Sequence, residues 1–192
     1  MGRTAGCRHA LLAGTALATG LIVVGAAPAR AQTVWQGTTS ADWFVGTNWS
    51  TGTVPGATDN VIVNQGSPNA NPTIGINGTS NAATSLTASI GDTVGTTGAV
   101  TVSTTNAGVP ASWTLSGAGG FNGNLVTGPL MVGNNGTGSL TITNGGAVTT
   151  NGDLGNVVIG SVGSGTVTVG SATAPNRHPP SPIVALSLEG VG

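Results

Sequence analysis

The sequence predicts an all-β fold, in the form of a parallel β-helix (a solenoid), from three observations. Short runs of Val, Leu, Ile and Thr alternate apolar and polar residues, as strands with one buried face do. Similar units recur at a separation of 27 residues, which is typical of a stacked repeat. Glycine and asparagine separate the runs and tolerate the positive φ angles of tight corners.

The composition excludes several classes of protein. Of the 192 residues, 38% are hydrophobic and 5% are charged, whereas an ordinary soluble domain carries about 25% charged residues. The net charge of -1 and the lack of lysine exclude a strongly basic nucleic-acid surface. The single cysteine excludes a disulfide scaffold. The 34 glycines and 10 prolines leave a flexible low-complexity chain open as an alternative.

Residues 1–31 have the organisation of a secretory signal peptide. Arg3 and Arg8 form a basic start, a long apolar run follows, and an Ala-Arg-Ala triplet ends at Ala31. Cleavage is predicted between Ala31 and Gln32. The alternative is a membrane anchor, because the apolar run approaches the roughly 20 residues that span a bilayer.

Residues 32–64 are predicted to form an N-terminal aromatic cap and the first core strand. Trp35, Trp43 and Trp49 lie within fifteen residues of one another, and we expect them to cover the apolar end of the stack. The first core strand is predicted at 60–64, where three β-branched residues follow one another.

A sugar-stacking platform is the alternative interpretation of the same tryptophans. An indole ring offers an apolar face with a polar edge, and Asp42 and Asn48 are close enough in sequence to supply hydrogen bonds to a glycan. The candidate binding residues are therefore Trp35, Trp43 and Trp49.

Residues 65–173 contain the repeats. Aligning the segment from Val132 with the segment from Ile159 pairs four positions at one offset of 27, namely Gly133 with Gly160, Gly138 with Gly165, Leu140 with Val167 and Ile142 with Val169. Three extended segments are predicted in the first unit, at 140–143, 147–150 and 157–159, with corners at 144–146 and 151–156.

Corresponding residues of successive repeats are expected to stack about 4.8 Å apart. Ile142 then lies below Val169 in the interior, and Thr141 and Thr168 form a hydroxyl ladder outside. The segments 99–103 and 113–117 resemble further strands, but their spacing from the later repeats is irregular, which predicts insertions.

Residues 174–192 are predicted to form a disordered tail. The run APNRHPPSP abolishes the strand pattern and holds Arg177 and His178, the only arginine and histidine after the signal peptide. These two residues are expected to be solvated, with a recognition role as the alternative.

The residue types that carry chemistry are sparse, and no catalytic, metal or cofactor residue is predicted. Five carboxylates follow the signal peptide, at 42, 59, 92, 153 and 189, and they are at least 17 residues apart. A β-helical polysaccharide-active enzyme needs clustered carboxylates, so this class remains only an alternative. A single histidine and no cysteine after residue 31 disfavour transition-metal sites.

Two segments carry a family resemblance, WQGTTSADWFVGTNWSTGTVPGATDNVIVN at 35–64 and VGNNGTGSLTITNGGAVTTNG at 132–152. They resemble the passenger regions of bacterial autotransporters of the type V secretion pathway, and the likeness covers most of residues 32–173. It implies a right-handed parallel β-helix at the surface of a Gram-negative bacterium. It also implies few cysteines, because disulfides hinder export through the translocator.

The sequence departs from that family because no outer-membrane β-barrel precedes its last residue, Gly192. We therefore expect an exported, adhesin-like passenger fragment in the periplasm or at the cell surface, with membrane contact only during export. Its Thr/Ser/Asn-rich surface is expected to bind glycans, a host or neighbouring cell, or copies of itself, and not nucleic acid. A fragment without activity is the remaining alternative.

The export route gives the first testable prediction. In a Gram-negative host that expresses all 192 residues, the protein is expected outside the cytoplasm with Gln32 at its N-terminus. Cell fractionation followed by mass spectrometry of the N-terminal peptide measures both. Protein with Met1 intact in the inner membrane would instead support the anchor.

Overall fold

The computed structural model describes residues 32–64, 70–76, 81–105, 109–122, 125–151 and 156–170. These residues form an all-β structure in which the only helix is a three-residue 3-10 turn, Gly46–Asn48. The all-β prediction is confirmed. No helix among the described residues is long and apolar enough to cross a membrane. The predicted signal peptide at 1–31 and the predicted tail at 174–192 lie outside the described residues.

The strands are, in chain order, β1 (Gln32–Val34), β2 (Asn60–Val63), β3 (Thr73–Ile74), β4 (Ala82–Ser85), β5 (Thr87–Ile90), β6 (Thr97–Ser103), β7 (Ser112–Leu115), β8 (Gly120–Asn122), β9 (Leu125–Thr127), β10 (Leu130–Val132), β11 (Thr137–Thr143), β12 (Ala147–Thr150), β13 (Val157–Ile159) and β14 (Ser164–Val169).

Three parallel sheets contain all the strands except the hairpin of β8 and β9. The first sheet has the order β1-β2-β5-β10-β13, the second β3-β6-β11-β14 and the third β4-β7-β12. From β2 onward the chain visits the first, second and third sheets in turn and then returns to the first. The antiparallel pair β8 and β9 interrupts this cycle once.

The register confirms the predicted 27-residue offset. In the parallel pair of β11 and β14, the Cα partners include Gly138 with Gly165, Leu140 with Val167 and Ile142 with Val169. The three extended segments predicted at 140–143, 147–150 and 157–159 correspond to β11, β12 and β13, although β11 starts three residues earlier.

The offset is not constant along the chain. Gly138 pairs with Gly98, 40 positions earlier, and Leu130 pairs with Ala88, 42 positions earlier. The β8–β9 hairpin lies between these strands and supplies an insertion of the kind that the irregular spacing predicts. Strand pairing therefore tolerates repeats of different length, because the extra residues lie between strands and leave the register intact.

The strand predicted at 60–64 is present as β2, but it is not the first strand of the chain. The strand β2 ends at Val63, and β1 pairs in parallel with its outer edge through partners such as Thr33 with Val61. The segment 32–34 was missed because a run of three residues is too short to show alternation, and the tryptophans that follow it dominate the local pattern.

Alternation of side chains places the core on one face of each sheet. In β11 the residues Gly138, Leu140 and Ile142 are buried, and the threonines and the serine between them are partly or fully exposed. Burying such aliphatic side chains contributes about 1.5–3 kcal/mol each. In β14 the partners Val167 and Val169 are only half-buried, and this strand is the last of its sheet among the described residues.

The corner between the first and second sheets has the same geometry in three repeats. The N–H groups of Gly91, Gly133 and Gly160 donate to the last carbonyl of the neighbouring strand in the first sheet, at 2.8, 2.7 and 2.8 Å. All three glycines have positive φ. In the strand that follows, a Cβ on Gly138 would collide with the carbonyl of Ile90, so only glycine allows this close approach.

The opposite environments of two adjacent residues give a test of the register. Ile142→Asp buries an unpaired carboxylate in a site that is 7% exposed, so the strands beside it are expected to come apart. Thr141→Asp places the same group outside, where it stays hydrated, and serves as the matched control. Limited proteolysis should cut the Ile142 variant much faster, and equal rates would contradict the register.

Candidate functional site

Four tryptophans form one buried cluster at the N-terminal end of the sheets. Trp35 follows β1 and bridges to Trp49, which follows the 3-10 turn, and Trp43 lies beside a bridge between Asp42 and Thr73. All three predicted tryptophans are at most 1% exposed. The fourth member is Trp113, in the middle of β7. We call Trp35, Trp43, Trp49 and Trp113 the tryptophan cluster.

The rings of the tryptophan cluster pack edge to face. The ring centroids of Trp35 and Trp49 are 4.9 Å apart at 77°, and those of Trp43 and Trp49 are 4.7 Å apart at 73°. Trp43 also meets Trp113 at 5.0 Å and 59°. Such aromatic pairs contribute about 0.5–1.5 kcal/mol each beyond their buried area.

This packing bears directly on the proposed sugar-stacking role of Trp35, Trp43 and Trp49. Stacking needs an indole face that is open to solvent, and each of these rings is covered by protein. The structure therefore leaves none of the three available to a glycan. Burial of the three rings is instead what the predicted aromatic cap, the first interpretation of these residues, requires.

Hydrogen bonds fix most of the indoles in place. Nε1 of Trp35 donates to the carbonyl of Ala70 at 2.7 Å, and Nε1 of Trp49 donates to the carbonyl of Trp43 at 2.8 Å. Nε1 of Trp113 donates to Oγ of Ser85 at 3.1 Å. Nε1 of Trp43 is buried and has no hydrogen-bond partner among the described residues.

Asn48 organises the loop around the cluster and is not available to a glycan. Its Oδ1 accepts from the N–H groups of Thr39 and Ser40 at 2.9 and 3.1 Å, and its Nδ2 donates to the carbonyl of Asp42 at 2.9 Å. The carboxylate of Asp42 accepts from the N–H of Phe44 at 2.9 Å. Both polar residues of the predicted sugar platform therefore hold the backbone, and both are buried.

The sequence did not place Trp113 in the cap. Trp113 occupies an inward position of an alternating strand, so its local pattern matches that of any core residue. Its contact with Trp43 depends on the pairing of β4, β7 and β12, which sequence spacing did not reveal.

The outward residues of the second sheet form the largest described array of hydroxyl groups. We call them the hydroxyl face and define it by three rows, each in direct register across neighbouring strands. The rows are Thr73, Thr101, Thr141 and Thr168; Thr97, Thr137 and Ser164; and Ala99, Ser139 and Thr166.

The hydroxyl groups of the hydroxyl face are free of hydrogen bonds within the described part of the chain. None of them makes a hydrogen bond to another described residue. By contrast, Oγ1 of Thr96 donates to the carbonyl of Thr93 at 2.6 Å, and Oγ of Ser89 donates to Asp92 at 2.6 Å. The exposed hydroxyls can therefore donate to, or accept from, a ligand at no cost in internal hydrogen bonds.

Asp92 ties together the corners beside this face. Its Oδ1 accepts from Nδ2 of Asn134 at 2.9 Å, its N–H donates to Oδ1 of Asn64 at 2.6 Å, and its carbonyl accepts from Nδ2 of Asn135 at 2.9 Å. These asparagines belong to corners of successive repeats. The amide network therefore holds the turns of neighbouring repeats in alignment.

The remaining carboxylates give no acid–base pair in the described part of the chain. Asp59 accepts from the N–H of Gly56 at 2.8 Å, within its own turn. No group of three His, Cys, Asp or Glu side chains within the described residues could hold a metal ion. Asp153, Glu189, Arg177 and His178 lie outside the described residues.

The central position of Trp49 predicts its effect on stability. Trp49→Ala removes two ring contacts and one hydrogen bond, and is expected to lower the free energy of unfolding by about 3–5 kcal/mol. Val94→Ala, at a side chain that is 77% exposed, is the control and should change it by less than about 0.5 kcal/mol. Urea denaturation measures both, and similar values would contradict a structural role for the cluster.

Comparison with known proteins gives no match for this chain. No protein-family model matches it, and neither a curated protein nor a solved structure is significantly similar to it. The described residues have two distinctive features, the buried tryptophan cluster, which supports the fold, and the solvent-facing hydroxyl face.

Proposed function

We propose that this chain is an exported, adhesin-like passenger module that binds other surfaces through its hydroxyl face. The observation that carries the proposal is the in-register alignment of Thr and Ser across the second sheet, with hydroxyls that no described residue engages. A repeated array of weak hydrogen-bonding groups suits adhesion, because many simultaneous contacts multiply a small affinity.

The proposed architecture is a right-handed parallel β-helix with the tryptophan cluster as its N-terminal cap. The cyclic order of the three parallel sheets supports it, because a chain that returns to the same sheet once per repeat winds in one direction. Parallel strand pairs joined by crossovers are right-handed in about 98% of cases, which supports the proposed hand.

Export and autotransporter ancestry are the second part of the proposal. The support comes from the N-terminal pattern of residues 1–31 and from the passenger-like segments at 35–64 and 132–152.

Self-association is a second form of adhesion that one observation favours. The strands β13 and β14 are the last in the first and second sheets among the described residues, so one edge of each has no described strand beside it. Ile159 is 50% exposed and Val167 and Val169 are half-buried at this end. An unpaired strand edge with apolar side chains is a template for pairing with another chain.

The adhesion proposal predicts a specific effect of charge on the hydroxyl face. The wild-type protein is expected to bind uncharged glycans on an array or to bind cells. Thr166→Asp in β14 should weaken that binding, because a bound ligand would remove water from the new carboxylate. Thr149→Asp in β12 of the third sheet is the matched control, since both threonines are exposed and lie in outer strands. Its binding should equal that of the wild type.

Three outcomes would contradict this assignment. One is wild-type protein that binds neither glycans nor cells, and another is equal loss of binding in the two variants. The third is release of oligosaccharides from a polysaccharide, which would favour the enzyme alternative. Sedimentation velocity on the same proteins separates self-association from binding to a foreign surface.

A further inference from the structure

The hydroxyl face is a two-dimensional grid. Along the direction of stacking, neighbouring strands place Thr73, Thr101, Thr141 and Thr168 in one row, at the strand spacing of about 4.8 Å. Along each strand, outward residues recur at every second position, about 6.6 Å apart. The side chains therefore repeat in two directions with two fixed spacings.

The grid is chemically uniform. Of its ten positions seven are threonine and two are serine, and the one position without a hydroxyl is Ala99. Threonine also adds a methyl group beside each hydroxyl, and its branched Cβ restricts rotation about χ1. Of the charged residues in the described part of the chain, none lies in the second sheet.

The grid is also held rigidly. Its central strands, β6 and β11, pair over seven residues, and their inward residues Val100, Val102, Leu140 and Ile142 are buried. The amide network around Asp92 fixes the corner that precedes these strands. The spacings of the grid are therefore set by the backbone and do not depend on a ligand.

We propose that the hydroxyl face binds ice. Oxygen atoms on the prism faces of hexagonal ice also repeat in two directions, so an ice face and the grid are both two-dimensional periodic arrays of hydrogen-bonding groups. Each threonine hydroxyl takes the place of one lattice water, and the methyl groups fill the gaps between hydroxyls and exclude mobile water. A free hydroxyl can accept and donate as a lattice water does, which the lack of described intramolecular partners permits.

The third sheet provides an internal comparison, because it has a row but no grid. Thr84, Thr114 and Thr149 are in register on β4, β7 and β12. The adjacent outward positions, two residues earlier, are Ala82, Ser112 and Ala147, so only one of those three carries a hydroxyl. The proposal therefore assigns ice binding to the second sheet and not to the third.

Thermal hysteresis and adsorption of the dye-labelled protein to a growing ice surface test the proposal. Wild-type protein is expected to separate the melting and freezing temperatures and to label the ice. Thr141→Tyr inserts a ring into the middle of the grid and should abolish both effects. Thr114→Tyr is the matched control, since Thr114 is also a partly buried threonine in the central strand of its sheet, and both effects should persist.

Two further variants separate loss of ice binding from loss of folding. Thr141→Val keeps the shape of the side chain and removes only the hydroxyl, and Thr168→Tyr changes the grid at its exposed edge, where the core is not disturbed. Both are expected to reduce hysteresis while circular dichroism melting stays at the wild-type temperature. Wild-type protein without hysteresis, or equal loss in the Thr141→Tyr and Thr114→Tyr variants, would overturn the proposal. Glycan binding, measured on the same proteins, decides the adhesion proposal separately.

Discussion

Parallel pairing of backbones between repeats is the constraint on which the rest of the structure depends. Each strand of the second sheet lies directly over its counterpart, and the corner before it brings two backbones into contact at Gly98, Gly138 and Gly165. A Cβ at any of these glycines would meet a carbonyl of the first sheet. Insertions of different length are accepted between strands because they change neither the hydrogen bonds nor these contacts. The regular part of the sequence is therefore the part that forms the corner and the strand after it.

The two ends of the sheets differ in how far their apolar side chains are buried. At the N-terminal end, the tryptophan cluster is buried, and Asn48 satisfies the backbone groups of the loop that precedes Trp49. At the other described end, Ile159 is half exposed and the valines of β14 are only partly covered. Each aromatic side chain buries a large area, so these few residues bury much apolar surface. The same apolar surface at the second end makes pairing with a further strand favourable.

The sequence predicted the strands of the last two repeats and their register, because Leu140, Ile142, Val167 and Val169 repeat at one offset in a two-residue alternation. It failed for β1, which is too short to show a period, and it did not detect the contact of Trp113 with Trp43. That contact joins residues from separate sheets and depends on how the sheets face one another. Clustering of Trp35, Trp43 and Trp49 was visible in the sequence, but their burial was not, since an aromatic run has the same composition in a cap and in a sugar platform.

The burial of the core residues determines which residues of the second sheet form the hydroxyl face. In a strand that alternates, fixing Leu140 and Ile142 inside places Ser139 and Thr141 outside, and parallel register repeats that arrangement at every strand. The core alone, however, requires only that the outward residue be polar. Lysine or glutamate would satisfy it equally, yet the outward positions of the second sheet carry threonine and serine almost throughout. Packing explains where these side chains point, and it does not explain why they are uncharged and of one type. The proposed use of the face as a regular array of hydroxyl groups would account for that choice.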